Sequence, residues 1–310
     1  MPLDPQIKSM VDMVKMMEPL DLGTVPVGQT RAAFKMLASM GGAGDPMQKT
    51  EDLQIPGPGG DIKARVYRPL DAGTLPALVF FHGGGWVIGA IETHEGLCKS
   101  LASRAGCAVI SVDYRLAPEN KFPAGLEDCY AAARWVQDHA DEIGLDALRI
   151  GLGGDDAGGN LAAAVSIMLR DKGEPMPRFQ LLIYPVTDYC VPSKPSLVEN
   201  GEGYLLTSRD MVWFFEQYLN SAEDGTNALV SPLRAERLDG LPPALVITAE
   251  FDPLRDEGEM YAARLRDCGV TAETRRYDGM IHAFLSLSSM SDRARKALNE
   301  TGEALKSALA

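Results

Sequence analysis

Two rhythms of apolar and polar positions take turns along this chain. Short apolar runs bounded by glycine, proline or polar clusters read as strands at Ile62–Arg68, Ala77–Phe81, Ala108–Asp113, Leu148–Leu152, Phe179–Ile183, Ala244–Thr248 and Ala272–Tyr277. The turn-rich Pro56-Gly57-Pro58-Gly59-Gly60-Asp61 predicts an antiparallel hairpin between Glu51–Ile55 and the first of these, at one sheet edge. Helical spacing fills the gaps, as at Gly125–His139 and Asp256–Asp267. Such alternation predicts an α/β fold: a mostly parallel central sheet with helices on both faces. The chain carries no internal repeat and no low-complexity segment.

Composition narrows the picture. A chain of 310 residues, 45% hydrophobic, suits one α/β domain with a modest cap and a large core. A formal charge of −13 speaks against a nucleic-acid or anionic-membrane surface. Cys98, Cys107, Cys129, Cys190 and Cys268 are scattered and odd in number, which predicts reduced thiols and neither a disulfide frame nor a zinc site. The start has no basic-then-apolar signal pattern and no apolar stretch reaches membrane length, so a cytoplasmic protein without a membrane span is expected. His94 and His139 fall on predicted helices without partners at ligand spacing; surface or capping roles are expected, and no metal. The glycines of Gly151-Leu152-Gly153-Gly154 and Gly158-Gly159 are wrongly spaced for a dinucleotide loop, and no cofactor is expected.

The chemistry concentrates at a few loops. Leu148–Leu152 and the helix opening at Gly159-Asn160 flank Gly154-Asp155-Asp156-Ala157-Gly158, the Gly-x-Ser-x-Gly frame of a nucleophile elbow with aspartate in the serine's place. Asp252 follows the run Ala244-Leu245-Val246-Ile247, and His282 follows the strand-like Thr274-Arg275-Arg276-Tyr277 on a loop. Nucleophile, acid and histidine thus come in the chain order of an α/β-hydrolase, each where open α/β sheets carry working residues. An imidazole oriented by a carboxylate makes a general base. His82-Gly83-Gly84-Gly85-Trp86 follows another strand, and its glycines would let the Gly83 and Gly84 amides, with that of Ala157, form an oxyanion hole.

These motifs, with Asp113-Tyr114-Arg115-Leu116-Ala117-Pro118-Glu119, Phe122-Pro123-Ala124, Tyr184-Pro185, Asp252-Pro253-Leu254-Arg255-Asp256 and His282-Ala283-Phe284, make nearly the whole chain resemble the hormone-sensitive-lipase-like carboxylesterases, the bacterial family IV esterases of the α/β-hydrolase fold. In that family the elbow reads Gly-Asp-Ser-Ala-Gly, so the departure is confined to Asp156 and bears on activity, not on fold. The resemblance implies an ester substrate, a catalytic domain over residues 46–190 and 222–310, and a small helical cap from residues 1–45 and 191–221. The methionines of the first segment (Met10, Met13, Met16, Met17, Met36, Met40) are expected to divide between core and pocket. Trp86, Asp155, Tyr204, Leu205, Met211 and Phe214 are the candidate pocket residues, for short to medium acyl esters. For Asp155, hydrogen bonding around the elbow is a second reading. Tyr114, Arg115, Glu119 and Asp128 read as structural bracing.

Asp156 changes the expected chemistry. A carboxylate attacking an ester must expel an alkoxide far more basic than itself, so turnover should be strongly impaired. The carboxylate should meet the oxyanion amides, a helix amino terminus and His282, favouring a charged aspartate and a protonated histidine in a self-occupied site. Two alternatives remain open: an aspartate-nucleophile hydrolase of the haloalkane dehalogenase or epoxide hydrolase type, and a non-catalytic small-molecule binder resembling the plant gibberellin receptors. An exposed edge at Ala272–Tyr277 would permit a homodimer.

Overall fold

A computed structural model describes residues 2–16, 21–69, 73–189 and 194–310. Its strands are β1 Lys49–Gly57, β2 Gly60–Arg68, β3 Leu75–Phe81, β4 Ala108–Asp113, β5 Leu145–Asp155, β6 Gln180–Ile183, β7 Ala244–Phe251 and β8 Ala272–Ile281. They form one sheet in the order β1-β2-β4-β3-β5-β6-β7-β8. The hairpin is as expected, with Pro56 opposite Asp61. β2 also pairs antiparallel with β4, and every later neighbour is parallel. The apolar runs β3, β4 and β6 are central and buried on both faces, as parallel strands under helices must be.

The helices are α1 Pro5–Met16, α2 Val27–Ala38, α3 Ile91–Ala105, α4 Ala124–Asp138, α5 Ala157–Asp171, α6 Pro195–Glu199, α7 Ser208–Tyr218, α8 Arg255–Asp267 and α9 Asp292–Ala308. One core joins α4, α5, α7 and α8 to one face of the sheet; the other joins α1, α3 and α9 to the opposite face. None of the described helices is long and apolar enough to cross a membrane.

Several strands run past the bounds expected from sequence, β5, β7 and β8 the furthest. β5 begins earlier, at Leu145, and runs through the glycines to Asp155. β8 continues past Tyr277 to Ile281, so His282 follows the strand directly. The polar Asp278-Gly279 disguised that extension, and a register shift between Ala249 and Phe251 lets Ile281 pair with Phe251.

The two stretches outside the strand–helix rhythm form α1 and α2, then α6 and α7. Met10 is buried with Ile7 and Val11 against α9's side of the sheet. Met13, Met16 and Met36 are exposed, Met16 to 85%, so for these three the expected division between core and pocket does not hold. Met17, Cys190, residues 191–193 and the side chain of Met40 lie outside the described residues. α7 opens on a capping box between Thr207 and Asp210. It buries Met211, Phe214, Phe215 and Tyr218, a stripe at helical spacing turned towards the domain. Beside it, buried Lys194 meets Asp188 at 2.7 Å and Glu257 at 3.5 Å, and Arg234 also holds Asp188.

Candidate active site

All parallel strands point the same way, so β3, β5, β7 and β8 deliver His82, Asp156, Asp252 and His282 to one edge of the sheet. Between β5 and α5 the backbone turns so sharply that Asp156 adopts φ 52° and ψ −119°. L-residues rarely take such a conformation, and small polar side chains bear it best. Neighbours hold it there. The Asp156 N–H donates to Ile183 O at 2.9 Å, and the Asp156 carbonyl accepts from Asn160 and Val186. A Cβ on Gly158 would come within 1.9 Å of the Phe81 carbonyl, so only glycine allows α5 to start this close to β3.

The Asp156 side chain faces two groups. Its Oδ2 accepts N–H bonds from Gly84 at 2.8 Å and Gly85 at 2.9 Å. Its Oδ1 lies 3.8 Å from His282 Nε2, an ion-pair distance too long for a hydrogen bond. His282 Nδ1 is 2.9 Å from Asp252 Oδ2, and Asp252 Oδ1 accepts the Leu254 N–H at 2.8 Å. Asp156, Asp252 and His282 are all buried. Burial opposes a charge on His282, but Asp252, by charge and hydrogen bond, and then Asp156 and Asp155 outweigh it and raise its pKa to about 9. The ring therefore holds both protons at neutral pH. Ala157 follows as the first residue of α5, where backbone N–H groups have no helical acceptor.

Two site assignments are corrected by this geometry. The Gly83 N–H does not serve the elbow side chain: it is committed to Asp155 Oδ1 at 2.9 Å, and the amide that joins Gly84 is that of Gly85. Asp155 is not a pocket residue. It is buried with Oδ1 on Gly83 and Oδ2 3.3 Å from His94 Nε2, which agrees with the second reading of hydrogen bonding around the elbow.

The other candidate pocket residues fall in two groups. Phe214 lies over the glycine loop that follows β3, where a Cβ on Gly85 would strike its ring at 2.3 Å. Trp86, at φ 62°, stacks on Tyr218 with centroids 4.3 Å apart, and Met211 is buried in the same core. Tyr204 and Leu205 are half-buried on the opposite core, Tyr204 against Phe251 at 4.9 Å. Tyr184, of that same core, packs 4.9 Å from His282. A surface groove of about 850 Å³, lined by Arg178, Pro243, Thr271 and Glu303 among others, lies at the amino ends of β6 to β8 and holds none of these residues. Among the described residues no cluster of three or more His, Cys, Asp or Glu could hold a metal.

Residues 78–286 match the α/β-hydrolase-fold family. Carboxylic ester hydrolase LipN of Mycobacterium tuberculosis is 47% identical over 264 residues, 83% of this chain and 70% of its own. The arylesterase of Saccharolobus solfataricus is 37% identical over 92% of this chain and 93% of its own. The solved hyperthermophilic esterase of Pyrobaculum calidifontis covers all of both chains at 44% identity and a TM-score of 0.95. The chain belongs to the hormone-sensitive-lipase-like family of α/β-hydrolases.

For a member of this family, the sequence reading missed three residues around the site. Gly85 was passed over because the glycine run gives no sign of which amides turn inward. His94 was expected at the surface, yet it is buried; its spacing from Ile91, Leu97, Cys98 and Leu101 on α3 was the signal. Arg31 of α2 donates to the carbonyls of Val87 and Ala117 and pairs with Glu119. A charge so far away in sequence gave no local sign of this. The bracing pattern is present, with Arg115 on Asp128 at 2.7 Å, but Tyr114 also reaches the glycine loop after β3, donating to His82 O at 2.8 Å. His139 is a helix-end residue, its Nδ1 2.9 Å from Trp135 O.

Proposed function

We propose that this chain is a carboxylic-ester hydrolase scaffold for short to medium acyl esters whose Asp156 stands in the nucleophile position and leaves it strongly impaired. One observation carries the reading: Asp156 Oδ2 already takes the amides of Gly84 and Gly85.

The roles follow from the chemistry. With a hydroxyl at position 156, His282 Nε2 would take its proton as the oxygen attacks the ester carbonyl. Asp252 would orient the ring through Nδ1 and balance its charge. The carbonyl oxygen, turned into an oxyanion, would take the N–H groups of Gly84, Gly85 and Ala157. His282 would return the proton to the departing alcohol, and water would clear the acyl-enzyme by the same steps reversed. Aspartate opposes this three times over. Its Oδ2 fills the hole, its charge helps keep His282 protonated, and its attack would have to expel an alkoxide. A slow reaction through water and the remaining machinery is all that is expected.

The pocket for the acyl chain is assigned to Phe214, Met211 and Trp86 on one side and to Tyr204 and Leu205 on the other. α1, α2, α6 and α7 act as its cap, over residues 1–45 and 191–221. Cytoplasmic location is part of the proposal. Its support is that Cys98, Cys107, Cys129 and Cys268 are free thiols, three of them buried. β8 is the terminal strand, and a second copy pairing along it would make a homodimer, to be read by light scattering.

The test compares the chain with Asp156→Ser on short p-nitrophenyl esters, a haloalkane and an epoxide. Ester cleavage at least about 10³-fold faster in the serine variant supports the proposal. Halide release or epoxide opening by the unaltered chain would overturn it, as would equal ester turnover by both proteins.

A further inference from the structure

Beneath the oxyanion loop lies a second buried His–Asp pair, from which the proposed reaction takes nothing directly. We propose that His94 and Asp155 are positioning residues that set the Gly84 and Gly85 amides by fixing the Gly83 amide. This rests on the esterase reading above.

The two side chains are 4% and 5% exposed, with His94 Nε2 3.3 Å from Asp155 Oδ2. The bonds around the ring accommodate an ionic pair. Thr93 Oγ1 accepts from Ala90 N and has one proton for two neighbours, Ala90 O and His94 Nδ1, each at 2.8 Å; with that proton on Ala90 O, the ring donates at Nδ1. Nε2 faces a carboxylate and must donate as well. With both ring nitrogens protonated, the cation balances a carboxylate buried next to the elbow. Consistently, the charge and hydrogen bond of Asp155 overcome burial and raise the His94 pKa, and the His94 cation outweighs burial to lower that of Asp155.

The other oxygen of Asp155 holds Gly83 N–H at 2.9 Å. The approach is close: a Cβ on Gly83 would meet Asp155 Oδ2 at 2.7 Å. Gly83 is also held at its carbonyl, 2.9 Å from His82 Nδ1. His82 is sandwiched between Tyr114, with centroids 4.4 Å apart, and His94, at 5.4 Å. Burial and the neighbouring His94 cation push the His82 pKa down to about 3, leaving a neutral ring whose Nδ1–H donates. With both ends of residue 83 fixed, the next two peptide planes have little freedom, and they are the ones aimed at the elbow side chain. A neutralised Asp155 also keeps uncompensated negative charge away from a developing oxyanion.

His94→Gln keeps a donor towards Asp155 without the charge; His94→Ala and Asp155→Ala remove the contact. In the Asp156→Ser background, kcat on short esters is expected to fall by about 10- to 100-fold in the alanine variants, less than the loss of an oxyanion donor itself. KM should change by no more than about twofold, and His94→Gln should lie between. The double alanine variant should lose no more than the worse single one, because the residues act as a unit. A second readout uses the unaltered chain, where His94→Gln should shift the amide proton resonances of Gly83, Gly84 and Gly85. Unchanged kcat in all three variants, a loss confined to KM, or unmoved glycine amides in the unaltered chain would each overturn the proposal. If Asp156→Ser shows no ester cleavage, the esterase reading fails on its own, and the amide shifts still decide this one.

Discussion

His282 answers to two carboxylates at unequal range, with Asp252 at hydrogen-bond distance and Asp156 almost one ångström further off. Because the folded pKa is raised to about 9 from 6.5, the ring's contribution to stability is full below about pH 6.5 and disappears as pH rises through about 9. The full effect is about 3 kcal/mol. The unfolding free energy of the chain minus that of His282→Gln, measured in urea from pH 6 to 10, should therefore decline across that window. Other buried titrating groups cancel in the difference. Asp156→Ser removes one of the two nearest negative charges and lowers the folded pKa, so the decline should be smaller and end at a lower pH; superimposable difference curves would show that Asp156 does not reach the ring. Most of this was visible in the chain, since Asp156, Asp252 and His282 lie on motifs. What was invisible was which amides turn towards the elbow, because three consecutive glycines leave φ and ψ unspecified until Asp155 and His82 fix them.

At the scale of elements, the junction of β3, β5 and α5 tolerates almost no added volume. Gly158→Ala places a methyl group against the Phe81 carbonyl and is expected to cost at least about 3 kcal/mol or to prevent soluble expression. Gly173→Ala, at φ +67° with nothing within 4 Å, should cost only the backbone strain of about 1–2 kcal/mol. Urea midpoints of the two variants test the contrast, and equal losses would contradict the packing account. α7 gives a functional counterpart. In the Asp156→Ser background, Phe214→Ala removes the ring above Gly85 and should shift preference towards longer acyl chains, read as the ratio of kcat/KM for octanoate and acetate esters. Strand and helix positions followed from apolar periodicity because the sheet is buried on both faces. The end of β8 escaped because Asp278 and Gly279 look like a turn, although the strand runs through them to seat His282.

For the molecule as a whole, the connection between α6 and the rest of the fold is partly electrostatic. Lys194 leads into α6 and meets Asp188 and Glu257 in the buried interior, where burial raises the Glu257 pKa to about 7 despite the lysine. Lys194→Met leaves these carboxylates short of a cation and should destabilise the protein by about 3 kcal/mol. A loss below about 1 kcal/mol by urea unfolding would mean that Arg234 alone is sufficient. Such a network was not legible in the chain, since its members are scattered over four segments and look like ordinary surface charges. The overall architecture was, because strand order, crossovers and motif order constrain one another. The occupied hole carries a practical consequence. Fluorophosphonate tags used to survey hydrolases in cell extracts report only proteins that offer a reactive hydroxyl to phosphorus. If the proposed function is right, a proteomic screen of that kind would leave this chain untagged, although its backbone overlays that of a solved esterase from end to end.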